Sequence, residues 1–263
     1  MDSSDPVADA GGATIWLVPN TLDLGAETET PIDAAIPAGT LRRAAALTHW
    51  VVEDAKTARA FLKRVATVFP LAQPLQSIDI REMPRPPKDG RAAPDDAQWH
   101  ALLRPALAGV DLGVLSEAGL PCVADPGARL VAAAQASGIS VVPLAGATSL
   151  MLALAASGLH GQSFAFAGYL PTEPRERSTR IRDLEARSRH EGQTQIAIET
   201  PYRNAALAAA LLDSLQPGTR LCVACGLTLP GGWCRTRTVA QWRQAPPSFD
   251  DRRLPAVFLW LAG

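Results

Sequence analysis

The chain has 263 residues, of which 47% are hydrophobic and 19% charged, and its 25 basic and 26 acidic residues give a formal net charge of -1. That length suits two domains of ordinary size, and the composition excludes wholesale disorder. The balanced charge excludes a globally basic nucleic-acid binder, while a local basic patch would survive in such an average. No apolar run reaches the roughly 18 residues that span a bilayer. The opening MDSSDPVADAGG has neither a charged n-region nor an apolar h-region, so it reads as a lead-in and not a signal peptide. The expectation is a cytoplasmic protein that does not engage a membrane.

The first clear element is TIWLVPN, residues 14–20, an apolar strand stopped by Pro19 and Asn20. An Ala/Leu-rich helix over about 38–47 follows, then the strand HWVVE and the helix DAKTARAFLKRV, with Asp54 as its cap. Residues 84–96, PRPPKDGRAAPDD by composition, form a loop. QWHALLRPALAG resumes a helix and VDLGVLSEAG a buried strand. Asp125 and Pro126 stand as N-cap and first residue of the next helix, which stops at Gly138. ISVVPLA is a strand, and Thr148 caps the helix SLMLALAA, which ends near Gly158. Strand and helix thus alternate to about residue 158, the pattern of a parallel, doubly wound sheet, whose ligands bind beyond the carboxyl ends of the strands.

A second unit opens with SFAFAGYLP. Its amphipathic helix PRERSTRIRDLEARSR carries Ile181 and Leu184 on one side. The strand TQIAIET, the helix NAALAAALLDSL and the strands RLCVACGLT, TRTVAQW and PAVFLWLA follow, and several strands in succession predict a mixed sheet. The fold class is therefore α/β, with an N-terminal domain over 13–158 and a C-terminal domain over 162–263. Cys222 and Cys225 form a C-x-x-C within strand-like sequence. Residues three apart on a strand point to opposite faces, so buried thiols are expected here and no metal site.

Three turns at strand ends carry candidate chemistry. VLSEAGLPCVADPG, residues 114–127, places Glu117 after a buried strand and then glycines that let backbone approach a ligand; a tight connection before a capped helix is the competing reading. VVPLAGATSL, residues 141–150, leads Gly146 to Ser149 into a helix N-terminus that offers N–H groups to an anion, or is a plain cap. IETPYR, residues 198–203, is the third.

Taken with VPN, EDAKTAR, FAGYLP and ACGLT, these segments occur in an order that resembles the tetrapyrrole methylase superfamily. They are most similar to the branch that methylates ribose 2′-hydroxyls of small-subunit ribosomal RNA, at cytidine in 16S rRNA. That branch shows S-D-A-G-x-P-x-x-x-D-P-G, P-G-x-x-(A/S), Y-E-S-(T/P)-(H/Y)-R and R-E-L-T-K blocks. The resemblance spans residues 14–263 and is most specific from Ser116 to Gly127, with its fixed distance to Gly146. It implies a non-Rossmann, homodimeric methyltransferase of two α/β domains, with S-adenosylmethionine in the interdomain cleft. Carried across by position, the cofactor meets Pro19, Ser116, Glu117, Gly119, Leu120, Gly146, Thr148 and Ser149, with Tyr202, Leu227 and Pro255 from the second domain. Glu117 stands where the family has Asp. The R-E-L-T-K block reads Cys225, Gly226, Leu227, Thr228, Leu229, and the E-D-T-R block reads EDAK, with Lys56 in place of Arg. The H-N-E segment is absent.

A hydroxyl acceptor must lose its proton as the methyl bond forms, and Glu53, Asp54 and Glu199 are the candidate bases, each also suited to capping a helix or pairing with a cation. Arg175, Arg177, Arg180, Arg182, Arg187 and Arg189, with Arg203, are candidate contacts to RNA phosphates; interleaved acids also suit a solvated face. Arg175, Arg177 and Arg203 are the foremost of these for substrate. The alternatives are a methylase of a small molecule such as a tetrapyrrole, which the lost charges favour, and a cofactor-binding protein without turnover. No G-x-G-x-x-G follows the first strand, which argues against a nicotinamide dehydrogenase.

Overall fold

The apolar burst at residues 14–20 gives strand β1, Thr14–Leu17. In the computed structural model, which describes residues 12–23, 30–85, 95–249 and 254–263, it is followed by α1 (Ile32–Ala35), α2 (Ala38–Ala46), β2 (His49–Val52) and α3 (Ala55–Ala66). Next come β3 (Asp79–Glu82), α4 (Asp96–Leu102), α5 (Arg104–Leu107), β4 (Leu112–Leu115), α6 (Ala128–Ala136), β5 (Ser140–Pro143) and α7 (Ser149–Ser157). The second half runs β6 (Phe164–Tyr169), α8 (Pro174–Glu191), β7 (Thr194–Glu199), α9 (Asn204–Ser214), β8 (Arg220–Cys225), β9 (Trp233–Thr238), α10 (Val239–Gln244) and β10 (Ala256–Leu261). The lead-in and residues 86–94 of the proline-rich loop lie outside the described residues.

The first sheet has the order β3-β2-β4-β1-β5, and every pairing in it is parallel. Alternate residues of its strands feed two cores. Trp16, Val18, Trp50, Val52 and Leu115 pack with α2 and α3, whereas Ile15, Val51, Leu112 and Val114 pack with α4 to α6. A parallel sheet with helices on both faces is the doubly wound arrangement the alternation predicts. Gly113 lies opposite Trp50, and a Cβ there would come within 2.6 Å of the indole, so only glycine admits that ring.

The second sheet has the order β6-β7-β10-β8-β9, with β6 and β7 parallel and the rest antiparallel. One face packs on α8, α9 and α10 through Leu184, Leu211, Trp242 and Phe258, and the other packs on α7 through Leu150, Ala153 and Leu154.

Compact packing groups the described residues of 12–21 and 31–147 in one unit, and those of 22–30 and 148–263 in another. The sequence pattern instead carries the first domain to residue 158. The difference is α7, which continues the strand–helix alternation yet lays its apolar side on β8, β9 and β10. Three local expectations also change. TRTVAQW is not one strand: Thr238 forms a capping box with Gln241, and the chain turns helical at Val239. Asp125 and Pro126 do not begin α6, whose N-cap is Gly127. Thr148 occupies the N-cap position of α7 but its side chain makes no capping bond.

Candidate functional site

Strands β1, β2, β4 and β5 end on the same edge of the parallel sheet, and the turns that follow them are stitched together. Asn20 is the central stitch. Its backbone N–H donates to Gly119 O at 2.8 Å, and its buried side-chain amide donates to Ser116 O at 3.2 Å and Glu117 O at 2.9 Å. From β2, Glu53 N–H donates to Leu115 O at 3.1 Å and its Oε2 accepts from Glu117 N–H at 3.1 Å. From β5, Gly146 lies so close to Pro19 that a Cβ would sit 2.2 Å from the Pro19 Cγ. Pro19, Glu53, Ser116, Glu117, Gly119, Leu120 and Gly146 are thus brought to one edge of one sheet.

The loop from Ser116 to Gly127 is held in an unusual backbone path. Gly119 and Gly127 have φ of 68° and 126°, and so do two residues that carry a Cβ: Cys122 at 68° and Ala124 at 65°. Each such left-handed L-residue costs about 1–2 kcal/mol, and strain of this kind collects where a loop is shaped for a ligand.

Acids dominate this edge. Glu117 has its carboxyl raised above the ordinary range, first by burial and then by the Glu53 and Asp54 carboxylates. Asp125 is pushed up to about 7, again by burial first and then by Glu53, with Ser116 opposing the shift. The Ser116 hydroxyl is buried, and no contact of its oxygen meets full hydrogen-bond geometry. Asp54 moves the other way, chiefly because its carboxylate accepts the Thr57 backbone N–H, at 2.8 Å, as the cap of α3. Arg85 lies 3.6 Å from Asp54 and donates to Glu53 O at 3.3 Å, so a guanidinium stands beside this acid pair although Lys56 replaces the expected arginine.

The remaining candidates belong to the second unit. Glu199, at the end of β7, is buried, pairs with Arg203 at 2.8 Å and accepts from Thr200 N–H at 2.8 Å. Its carboxylate is therefore committed to holding the ETPYR turn. Leu227 and Pro255 lie at the same end of that sheet, where Gly226 N–H donates to Pro255 O at 2.9 Å. Tyr202 is 73% exposed, and Thr148 and Ser149 are half-buried at the start of α7. Arg175 is exposed, whereas Arg177 is half-buried with its Nε lacking a hydrogen-bond partner. The sequence reading missed Asn20, Arg85 and Asp125. A lone Asn after a strand and an Arg in a proline-rich stretch carry no signal of their own, and Asp125 reads naturally as a cap.

The family model described as tetrapyrrole (corrin/porphyrin) methylases matches residues 40–239. The chain belongs to this family. Its members are S-adenosylmethionine-dependent methyltransferases. Among curated relatives, the ribosomal RNA small subunit methyltransferase I of Xylella fastidiosa is 38% identical over 109 residues, covering 41% of this chain and 38% of that one. The protein of the same name from Pseudomonas aeruginosa is 41% identical over 107 residues, 41% of this chain and 34% of that one, and the Synechocystis protein 39% over 127 residues, 48% and 44%. The matches therefore span about two fifths of the relatives' length. Two solved structures share the fold at 20% identity. These are the methyltransferase CobJ, with a TM-score of 0.55 over 97% of this chain and 95% of that one, and uroporphyrin-III-C-methyltransferase from Thermus thermophilus, with 0.50 over 95% and 92%.

The first-unit edge fits the family's cofactor. A molecule bearing an ammonium, a sulfonium and ribose hydroxyls suits a rim of carboxyls, two of them raised by burial and then by neighbouring carboxylates, beside the buried Ser116 hydroxyl. Among the described residues, no group of three or more His, Cys, Asp or Glu could hold a metal ion, and no helix is long and apolar enough to cross a membrane.

Proposed function

We propose that this chain transfers the methyl group of S-adenosylmethionine to a ribose 2′-hydroxyl of small-subunit ribosomal RNA, at a cytidine of the 16S species. The observation that carries the methyl-transfer reading is the strained Ser116–Gly127 loop, stitched by Asn20 and Glu53 to the ends of β1 and β2 on the edge where a parallel sheet binds ligands. The small-subunit relatives support the RNA acceptor, and the family resemblance supports a homodimer in the cytoplasm.

S-adenosylmethionine supplies an electrophilic methyl on a sulfonium. The protein's share is to place the acceptor in line with it, and positioning of that kind is worth about 7–11 kcal/mol in good intramolecular cases. Gly146, seated against Pro19, and the Asn20-clamped backbone of Ser116 and Glu117 form the rigid floor. Glu53, Glu117 and Asp125 hold the positive and hydroxyl groups. Of the three candidate bases, Asp54 is engaged as a cap and Glu199 in a buried ion pair, whereas Glu53 meets, among the described residues, a single N–H, that of Glu117 at its Oε2, which favours Glu53 as the acceptor of the hydroxyl proton. Pro19, Ser116, Gly119, Leu120, Thr148, Ser149, Tyr202, Leu227 and Pro255 remain the proposed cofactor contacts, with Arg175, Arg177 and Arg203 toward substrate.

One observation favours a smaller acceptor such as a tetrapyrrole. Cys225 and Leu229, at the ends of the block where the family branch carries charges, are buried in an apolar core, so no cation there can meet a phosphate. Titration with S-adenosylhomocysteine tests the cofactor site, because ligand at about 100 times its dissociation constant adds roughly 2.7 kcal/mol to stability. Incubation with labelled cofactor and either unmethylated small subunits or a porphyrinogen then tests the acceptor. Label in a 2′-O-methylated cytidine is expected, label in the porphyrinogen would replace the RNA reading, and absence of cofactor binding by the folded protein would end both.

A further inference from the structure

The C-x-x-C of β8 divides between the two faces of its sheet, Cys225 facing the core under α8 to α10 and Cys222 the layer beneath α7. On that second face Cys222 meets a different thiol. Its Sγ lies 3.4 Å from the Sγ of Cys234 on β9, a pairing twelve residues apart that the C-x-x-C spacing conceals. Cys222 is fully buried, and Cys234 is half-exposed on β9, the edge strand of the sheet.

We propose that Cys234 and Cys222 form a peroxide-reactive dithiol, in which Cys234 is the thiol attacked first and Cys222 resolves it to a disulfide. The Cys234 thiolate attacks one oxygen of a hydroperoxide. An S–O bond forms, the O–O bond breaks, and the departing oxygen leaves as hydroxide or alkoxide. The Cys222 thiol then gives up its proton and attacks the Cys234 sulfur, forming S–S as S–O breaks and releasing water. The two electrons removed from the thiols reduce the hydroperoxide.

Three observations assign these roles. Cys234 has the access that Cys222 lacks. The hydrogen bond between them favours the Cys234 thiolate, bringing it down to about 7, while that bond and burial push the Cys222 thiol up. The other groups acting on the pair are the Thr236 hydroxyl and the Arg235 backbone N–H, and α7 packs on it with Leu150, Ala153 and Leu154. Cys122 is held by burial at about 11, and Cys225 faces the other side, so neither competes. The sulfurs must close by about 1.3 Å to reach bonding distance. Since Cys234 pairs with Ala224 and Cys222 with Thr236, the two are diagonal partners, which span more than directly opposed ones. The edge strand must therefore shift, and the resulting bond is strained and readily reduced.

The test treats the full chain with hydrogen peroxide, alkylates the remaining thiols with iodoacetamide, and locates the products in a chymotryptic digest, which cleaves after Trp233 between the two cysteines. The expected product is a Cys222–Cys234 cross-link, two hydrogens lighter, that dithiothreitol reverses, with Cys122 and Cys225 alkylated. In Cys222→Ser, dimedone should trap a sulfenic acid on Cys234. In the untreated protein, Cys234 alkylation should rise with a midpoint below the ordinary thiol value of 9.0. A Cys222–Cys225 link, oxidation of Cys122 first, or four alkylated thiols after peroxide would each overturn the assignment.

Discussion

Asp125 carries the least comfortable negative charge on the binding edge. An aspartate in an unfolded chain titrates near its ordinary 3.8, but here burial, and after it Glu53, hold the carboxyl at about 7. The folded protein therefore binds a proton that the unfolded chain has released, and stability falls as pH rises between those two values. Asp125→Asn should remove that penalty. Its unfolding free energy should exceed the parent's by on the order of 1 kcal/mol at pH 8, once solvent screening at a half-buried carboxyl is allowed for, and by little at pH 4. Denaturant titration at the two pH values checks this, and an equal gain at both would remove the proton from the account. Gly146 makes the second residue-scale case. Gly146→Ala puts a methyl 2.2 Å from the Pro19 Cγ, so the β5 turn must move on the edge proposed to bind the cofactor. Affinity for S-adenosylhomocysteine should fall at least tenfold while the circular-dichroism spectrum is kept. Gly39→Ala in α2, where nothing lies within 4 Å, is the control and should bind normally.

At the scale of elements, Asp54 separates a structural duty from a chemical one. Its carboxylate caps α3, and losing such a cap costs about 1 kcal/mol. Asp54→Ala should therefore lower the melting temperature, whereas Asp54→Asn keeps an acceptor at the N-cap and should not. If Asp54→Asn loses methyl transfer at unchanged stability, Asp54 takes a direct part in the chemistry and the preference for Glu53 fails. Most elements were legible in the sequence because their signals are local: the apolar run of β1, the cap of α3, the Ile181 and Leu184 stripe of α8. The misreadings share a cause. In TRTVAQW, β-branched residues run straight into a helix start, and only the Thr238–Gln241 capping box marks the change. β3 reads DIRE, an exposed edge strand whose charge conceals its pairing with β2. The site was legible as turns, since glycines and prolines after strands announce them. The clamp by Asn20 and the burial of Asp125 near Glu53 were not, because Asn20 bonds residues about a hundred positions on and Glu53 stands about 70 positions before Asp125.

For the whole molecule, alternation revealed two α/β units but not which sheet α7 would cover, since an apolar helix carries no address for its partner. Charge is the property on which the RNA reading rests at this scale. A chain of formal charge -1 has no global field to draw in a polyanion, so any phosphate binding must come from a local patch. Helix α8 offers one: Ile181 and Leu184 are buried, while Arg175, Arg180 and Arg182 are exposed. Arg187, by contrast, is paired with Glu191 at 3.0 Å, and Arg203 is held by Glu199. Each phosphate contact steepens the salt dependence of binding to single-stranded RNA by about 0.7 in the log–log slope. Replacing Arg175, Arg180 and Arg182 together by alanine should therefore flatten the slope for a small-subunit RNA fragment by about 2. It should leave S-adenosylhomocysteine affinity untouched, because none of the three lies on the proposed cofactor edge. Binding isotherms at several salt concentrations measure it. An unchanged slope with tight binding would move the RNA to another surface, and no binding by the parent protein, with cofactor affinity intact, would turn the search for the acceptor toward small molecules.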